Sequence, residues 1–354
     1  MNMWRYIELL PVKFDRNIVS LGEGATKMIK TRALAKMIGL KSLYMKDEGS
    51  NPTGSFKSRG LSMAVSKAKE LGIQKISIPT AGNAGSALSA YCAAAGMQAK
   101  IYMPKATPDV FKIDCEVAGA IVNVIDGDIS ACAREMQNEK DQADWFDVST
   151  MKEPYRLEGK KTMGFEIAEY FKWKLPDVII YPTGGGTGLI GIWKAFKELQ
   201  RMGWVKHLKT RMVAVQVSGC APIVKAFKAG KLHTLGLKKP AMTIANGLRV
   251  PNVFADRLVL STLYESQGTA LTVTDREIYK CVHEIARKEG IFVSPEGAAV
   301  WAALKKLNKK NWIKPNDKVV LLNTGSAYKY IQNMVNYAKK LKKPIKVMKP
   351  LNKQ

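Results

Sequence analysis

Short apolar, β-branched runs alternate along the chain with longer stretches in which apolar residues recur every three or four positions. The runs at 75–79, 100–103, 121–125, 178–181, 212–217 and 319–322 predict strands, and 42–46 reads as a further extended segment. The helical period is clearest over 275–289, where Ile278, Cys281, Val282 and Ile285 share one face. Thr274 and Glu277 have the spacing of a capping box there, and Gly290 suits the left-handed residue that ends a helix. A second clear case is 188–201, with Leu189, Ile192, Trp193, Phe196 and Leu199 on one face. Strand–helix alternation over the whole length predicts an α/β fold whose mostly parallel sheets are wrapped by helices. Ligands of such sheets bind at the carboxyl ends of the strands, so the informative loops are those that directly follow strands.

Composition narrows the class without naming a function. With 46% hydrophobic and 24% charged residues the chain is not disordered, collagen-like or a coiled coil. Its 354 residues suggest about two domains, enough to bury a core without disulfide or metal staples. The five cysteines are odd in number and none forms a C-x-x-C pair, which points to reduced, buried thiols in a cytoplasmic protein. The amino-terminal residues lack the apolar centre of a signal peptide, and the longest apolar-rich stretch, 87–97, is too short to span a bilayer. The net charge is +26, and seven lysines without an acid fall between Lys339 and Lys353. No aromatic–basic motif or zinc-finger spacing accompanies this charge. It is therefore read as a solvated lysine surface, with neither nucleic acid nor membrane expected as a partner.

Three strand-to-helix loops carry the chemistry. The first, D-E-G-S-N-P-T-G-S-F-K-S-R-G at 47–60, places Lys57 at the mouth of a predicted helix. The positive end of that helix and nearby Arg59 are expected to disfavour the protonated amine, as a lysine that attacks an aldehyde requires. The second, P-T-A-G-N-A-G at 79–85, offers the amide of Asn83 among small residues, and the hydroxyl of Thr80. The plainer reading of Asn83 is a helix cap. The third, Y-P-T-G-G-G-T-G at 181–188, exposes backbone N–H groups at a helix start and reads as a phosphate cup. It is neither a Walker loop nor a dinucleotide fingerprint. A fourth loop, N-T-G-S at 323–326, brings Thr324 to the end of a buried strand. A lysine, an amide and a phosphate cup together describe a site for a phosphorylated aldehyde such as pyridoxal 5′-phosphate. A hydroxyl beside its pyridine nitrogen would leave that nitrogen largely unprotonated and the cofactor a milder electron sink.

These loops resemble those of the tryptophan-synthase-like (fold type II) pyridoxal phosphate enzymes, and within them the threonine synthase family. The resemblance runs from about residue 5 to about residue 330, and S-F-K-S-R-G in its context is its most specific piece. It implies that Lys57 forms a Schiff base with the cofactor and that Asn83 bonds the ring 3′ oxygen. It implies that Gly184, Gly185, Gly186 and Thr187 hold the cofactor phosphate and that Thr324 faces the ring nitrogen. Thr80 would lie by the substrate carboxylate. Arg156, in P-Y-R-L-E-G, would meet a substrate phosphate; the other reading is a surface arginine in a turn. The implied partner is a small anionic amino-acid substrate, the implied assembly a homodimer, and no metal is called for. The implied reaction converts O-phospho-L-homoserine and water to L-threonine and phosphate. The division implied is a smaller mobile domain, 46–154, and a larger cofactor-binding domain combining 1–45 with 155–354.

The chain departs from part of that family. Ala84 stands where several members carry a hydroxyl, and the glycine loop lacks an asparagine found in others, so two donors to a substrate phosphate are missing. A threonine or serine ammonia-lyase, which needs no such pocket, is the alternative. The zinc-ribbon-like and long regulatory amino-terminal segments of some members are not seen, so control by S-adenosylmethionine is not expected. Glu296, in S-P-E-G, reads either as part of the site or as a helix-start residue, the latter preferred.

Overall fold

A computed structural model describes residues 1–139 and 141–341; most of the lysine-rich stretch noted above lies outside the described residues. The strands are β1 (Met28–Lys30), β2 (Ser42–Asp47), β3 (Lys75–Pro79), β4 (Gln98–Pro104), β5 (Ile121–Ile125), β6 (Phe146–Asp147), β7 (Val178–Pro182), β8 (Arg211–Val217), β9 (Thr269–Val273) and β10 (Lys318–Asn323). The helices are α1 (Arg32–Met37), α2 (Lys57–Glu70), α3 (Asn83–Ala95), α4 (Asp109–Val117), α5 (Ile129–Asn138), α6 (Tyr155–Tyr170), α7 (Thr187–Arg201), α8 (Pro222–Lys228), α9 (Asp256–Glu265), α10 (Asp275–Glu289), α11 (Pro295–Lys309) and α12 (Ile331–Lys340).

The strands form two sheets, one ordered β1-β2-β10-β7-β8-β9 and the other β5-β4-β3-β6. Every pairing is parallel except that of the short β1 with β2. Alternate side chains explain why the larger sheet is covered on both faces. Val178, Ile180, Val213, Val215, Val319 and Leu321 pack toward α10 and α11. Their neighbours Ile179, Tyr181, Met212, Ala214, Val320 and Leu322 pack among residues of α6, α7 and α9. Continuous apolar runs are what a parallel strand buried on both faces requires. The smaller sheet has its own core, in which Ile76, Ile78, Ile101 and Met103 meet Leu61, Ala64 and Val65 of α2 and Leu88 and Tyr91 of α3.

The caps follow the expected chemistry. Thr274 and Glu277 form the capping box at the start of α10, and Gly290 closes it in the left-handed conformation at φ +70°. All five cysteines are buried and free. Among the described residues no helix is long and apolar enough to cross a membrane.

Candidate active site

Strands β2, β10 and β7 are consecutive in the larger sheet and mutually parallel, so their carboxyl ends open side by side. Sheet order thereby brings the lysine loop, the Thr324 loop and the glycine loop together from three distant parts of the sequence. The first two are stitched along their backbones. Phe56 N–H donates to the Thr324 carbonyl at 3.1 Å, and Ser326 N–H to the Gly54 carbonyl at 2.8 Å. The Asn323 amide donates to Asp47 at 2.8 Å, while its oxygen accepts from the Ser294 backbone at 3.2 Å. Gly49 is needed in this seam, because a Cβ there would lie 2.9 Å from the Gly325 carbonyl carbon.

Lys57 is the first residue of α2, half-buried, with its Nζ 4.0 Å from the centre of the Phe56 ring. Burial lowers the pKa of its amine from 10.5 to about 7; Arg156 pushes the same way and Glu296 opposes. The cation beside Lys57 is thus Arg156, not Arg59 as the sequence suggested. The Arg59 guanidinium turns away, bonding Glu48 at 2.6 Å and Glu166 at 2.7 Å. Lys46 joins Glu166 at 2.5 Å, which closes a buried network of two cations and two carboxylates. This network ties the amino-terminal end of α2 to β2 and α6.

In the third loop, packing accounts for most of the glycine content. A Cβ at Gly184 would fall 2.2 Å from the Gly247 carbonyl oxygen, and one at Gly188 1.9 Å from the Tyr181 hydroxyl. Gly186 caps α7 in the left-handed region at φ +74°, with Val259 2.1 Å from where its Cβ would be. Gly185 differs, since nothing lies nearer than 3.9 Å to its Cβ position. Thr187 opens α7, is buried, and accepts at Oγ1 from Lys160 Nζ at 2.9 Å.

The smaller sheet contributes the loop after β3. The cap position of α3 falls to Gly82, and the Asn83 side chain makes no capping bond. It reaches instead across to the other layer, where Nδ2 donates to the Tyr330 hydroxyl at 3.0 Å. Its Oδ1 is buried and unpartnered. Thr80 is buried, and its Oγ1 accepts from Gly82 N–H at 3.3 Å within its own loop.

Arg156 is not a surface arginine. It is the second residue of α6, 4% exposed, and donates through Nη1 to the Val148 carbonyl, while its Nε has no partner. Glu153 accepts from the Arg156 backbone N–H at 2.9 Å. Burial raises the Glu153 pKa against the pull of Arg156. Ser294 caps α11, accepting from Gly297 N–H at 3.1 Å, and Glu296 is the acid of that helix's first turn, as the helix-start reading expects. The buried Glu296 carboxylate accepts from Gly247 N–H at 2.8 Å. Burial raises its pKa, with Gly247 and Tyr330 counteracting. Sequence reasoning missed Lys160, Tyr330 and Glu153. The only signal for Lys160 was its position four residues after Arg156, on the same helix face.

A family model described as pyridoxal-phosphate dependent enzyme matches residues 19–325. The threonine synthase of Methanocaldococcus jannaschii is 37% identical over 328 residues, covering 92% of this chain and 80% of that protein. The threonine synthase of Methanosarcina acetivorans is 37% identical over 336 residues, covering 95% and 82%. Among solved structures, the processed form of threonine deaminase isoform 2 from Solanum lycopersicum aligns with TM-score 0.75 at 18% identity, covering 95% of this chain and 93% of that one. Maize serine racemase aligns with TM-score 0.74 at 21% identity, covering 90% and 93%. At such identities the two structures establish the fold alone.

Proposed function

Since this chain belongs to the pyridoxal-phosphate dependent enzymes, we propose that it acts as a threonine synthase, converting O-phospho-L-homoserine and water to L-threonine and phosphate. The observation that carries the reading is the 37% identity to threonine synthases over more than nine-tenths of the chain.

The residues at the strand ends fit a flat phosphorylated aldehyde. Lys57 would hold it through its aldehyde carbon, and an amine with a pKa of about 7 is half neutral, hence nucleophilic, at neutral pH. The orphaned Oδ1 and the second amide N–H of Asn83 would meet the ring 3′ oxygen. Gly184, Gly185, Gly186 and Thr187 would seat the phosphate at the positive end of α7. The open side of Gly185 supports that seat. Thr324 would face the ring nitrogen. When bound, the cofactor supplies a conjugated electron sink next to the substrate α carbon.

The chain's own part is binding and proton transfer. Lys57 Nζ, free when the substrate amine has taken its place, would accept the α proton, pass it on before acting as a base again, accept a β proton and return that proton to the substrate later. Its depressed pKa lets it act as base and as acid near neutrality. Arg156 would hold the phosphate that departs from the γ carbon, through the Nε that has no protein partner. Thr80 would hold the substrate carboxylate once its hydroxyl leaves Gly82.

Residues 46–154 would be the smaller, mobile domain, and 1–45 with 155–354 the larger, as the separate sheet of β3 to β6 supports. Closure would exclude water before the phosphate has left. The same reading carries a homodimer in the cytoplasm with no nucleic-acid partner. Purified protein supplied with cofactor and O-phospho-L-homoserine should release phosphate and threonine in equal amounts. Ketobutyrate from threonine, without phosphate release from the ester, would establish the ammonia-lyase alternative in its place.

A further inference from the structure

One buried cation is left over from these assignments. Lys160 is 1% exposed and follows Arg156 by one helical turn on α6. Two glycine contacts lock its helix in place. A Cβ at Gly60 would lie 2.8 Å from the Arg156 carbonyl oxygen and 2.9 Å from the Lys160 Cε. A Cβ at Gly191 would lie 3.2 Å from the Lys160 carbonyl carbon. The side chain therefore sits where the amino-terminal turns of α2 and α7 converge on α6.

Its ammonium group has three N–H donors. One donates to Thr187 Oγ1 at 2.9 Å, and among the described residues no oxygen receives the other two. The charged groups facing it are Lys57 from α2, Arg156 from α6 and Glu153 from the segment before α6. That is three basic groups against one carboxylate, and the Glu153 oxygen Oε1 and the Arg156 Nε are both buried without partners. Holding all of these groups charged in such burial would be costly unless an anion paired with them. Donation from Lys160 also turns the Thr187 hydroxyl proton away from the lysine, toward whatever sits in the cup.

We propose that Lys160 is a phosphate-binding residue of this site, donating together with Arg156 and Thr187 to a phosphate monoester dianion at the start of α7. The proposal rests on the reading above and deepens it. It also supplies a replacement for the donors missing at Ala84 and in the glycine-only loop. Protonation of Lys160 would accompany anion binding, because burial, Arg156 and Lys57 lower its pKa well below the ordinary lysine value in the anion's absence.

The dianion has two sources, the cofactor and the substrate, and two titrations separate them. Apoprotein titrated with pyridoxal 5′-phosphate and followed by absorbance gives the cofactor dissociation constant. Cofactor-loaded protein titrated calorimetrically with inorganic phosphate gives the affinity of the substrate-phosphate position. In K160M, which keeps the side-chain volume, at least one constant should weaken about tenfold, and K160R should recover part of the loss. A weaker cofactor constant assigns Lys160 to the cofactor phosphate, and a weaker phosphate constant to the substrate. Both constants within twofold of wild type, in K160M and in K160Q with unchanged melting temperature, would overturn the proposal. Threonine formation by the wild-type protein is scored separately. Its absence, alongside a weakened constant in K160M, would remove the threonine synthase reading and leave Lys160 as an anion ligand.

Discussion

Asn83 Nδ2 and the Tyr330 hydroxyl meet at 3.0 Å, and this contact joins the two sheets at the mouth of the site. Asn83 begins α3 beside the smaller sheet, whereas Tyr330 follows β10 of the larger one yet packs into the smaller sheet's core. Tyr330→Phe deletes the acceptor and leaves a half-buried amide N–H unpaired. The expected cost is about 1–2 kcal/mol of stability. A shift in the absorbance of the bound cofactor should accompany it, since Asn83 would lose its orientation. Thermal melting and an absorbance spectrum check both; an unchanged spectrum would separate Asn83 from the cofactor ring.

Arg59 holds two buried carboxylates, Glu48 and Glu166, at 2.6 and 2.7 Å. Arg59→Met leaves those charges sharing Lys46 alone. Removing one partner from a buried ionic cluster typically costs about 3–5 kcal/mol. Urea unfolding of the cofactor-free variant should show a loss of that order. A loss below about 1 kcal/mol would mean that the network contributes little to fixing α2.

The pH dependence of stability follows from Lys57. Its pKa is about 7 in the folded protein and 10.5 in an ordinary lysine. Between these values the unfolded chain binds more protons, so stability rises with pH across that window. Below pH 7 the disfavoured protonated amine counts fully against the fold. Lys57→Met removes this burden. Cofactor-free Lys57→Met should therefore exceed wild type in stability most below pH 7, with the advantage shrinking toward pH 10.5. Denaturant unfolding at a series of pH values tests this, and a difference independent of pH would contradict it.

Adjacent glycines of the phosphate cup should behave differently. Gly184→Ala drives a methyl to 2.2 Å from the Gly247 carbonyl oxygen and disturbs the partner of Glu296, at a cost of about 1–3 kcal/mol. Gly185→Ala meets nothing nearer than 3.9 Å, so its melting temperature should stay close to wild type. Its affinity for the cofactor should nonetheless fall, because the methyl enters the space read as the phosphate seat. Melting curves and cofactor titrations of the two variants check the contrast.

What the sequence disclosed divides by range. Strands β3 and β5 were legible to the residue from their runs of isoleucine and valine, although only β3 is buried at its centre and β5 is a partly exposed edge strand. The edge strand β9, Thr-Ala-Leu-Thr-Val, was missed; it is half-exposed and carries no such run. The strand-to-helix loops were legible because their turn chemistry is local. Their assembly was not, since it depends on β10 lying between β2 and β7. Tyr330 is separated from Asn83 by 247 positions and Thr187 from Lys160 by 27, and neither pairing follows from spacing. Arg59 was misread because sequence proximity to Lys57 says nothing about where a long side chain turns. Packing also demands three of the four glycines in the third loop, a requirement that the sequence alone does not show.

Lys57 is the group that would hold the cofactor covalently. Borohydride reduction of protein reconstituted with pyridoxal 5′-phosphate, followed by peptide mass mapping, measures this directly. The predicted result is one pyridoxyl-phosphate adduct, on Lys57, lost in Lys57→Ala. An adduct on another lysine, or none from a reconstituted wild-type protein, would contradict it.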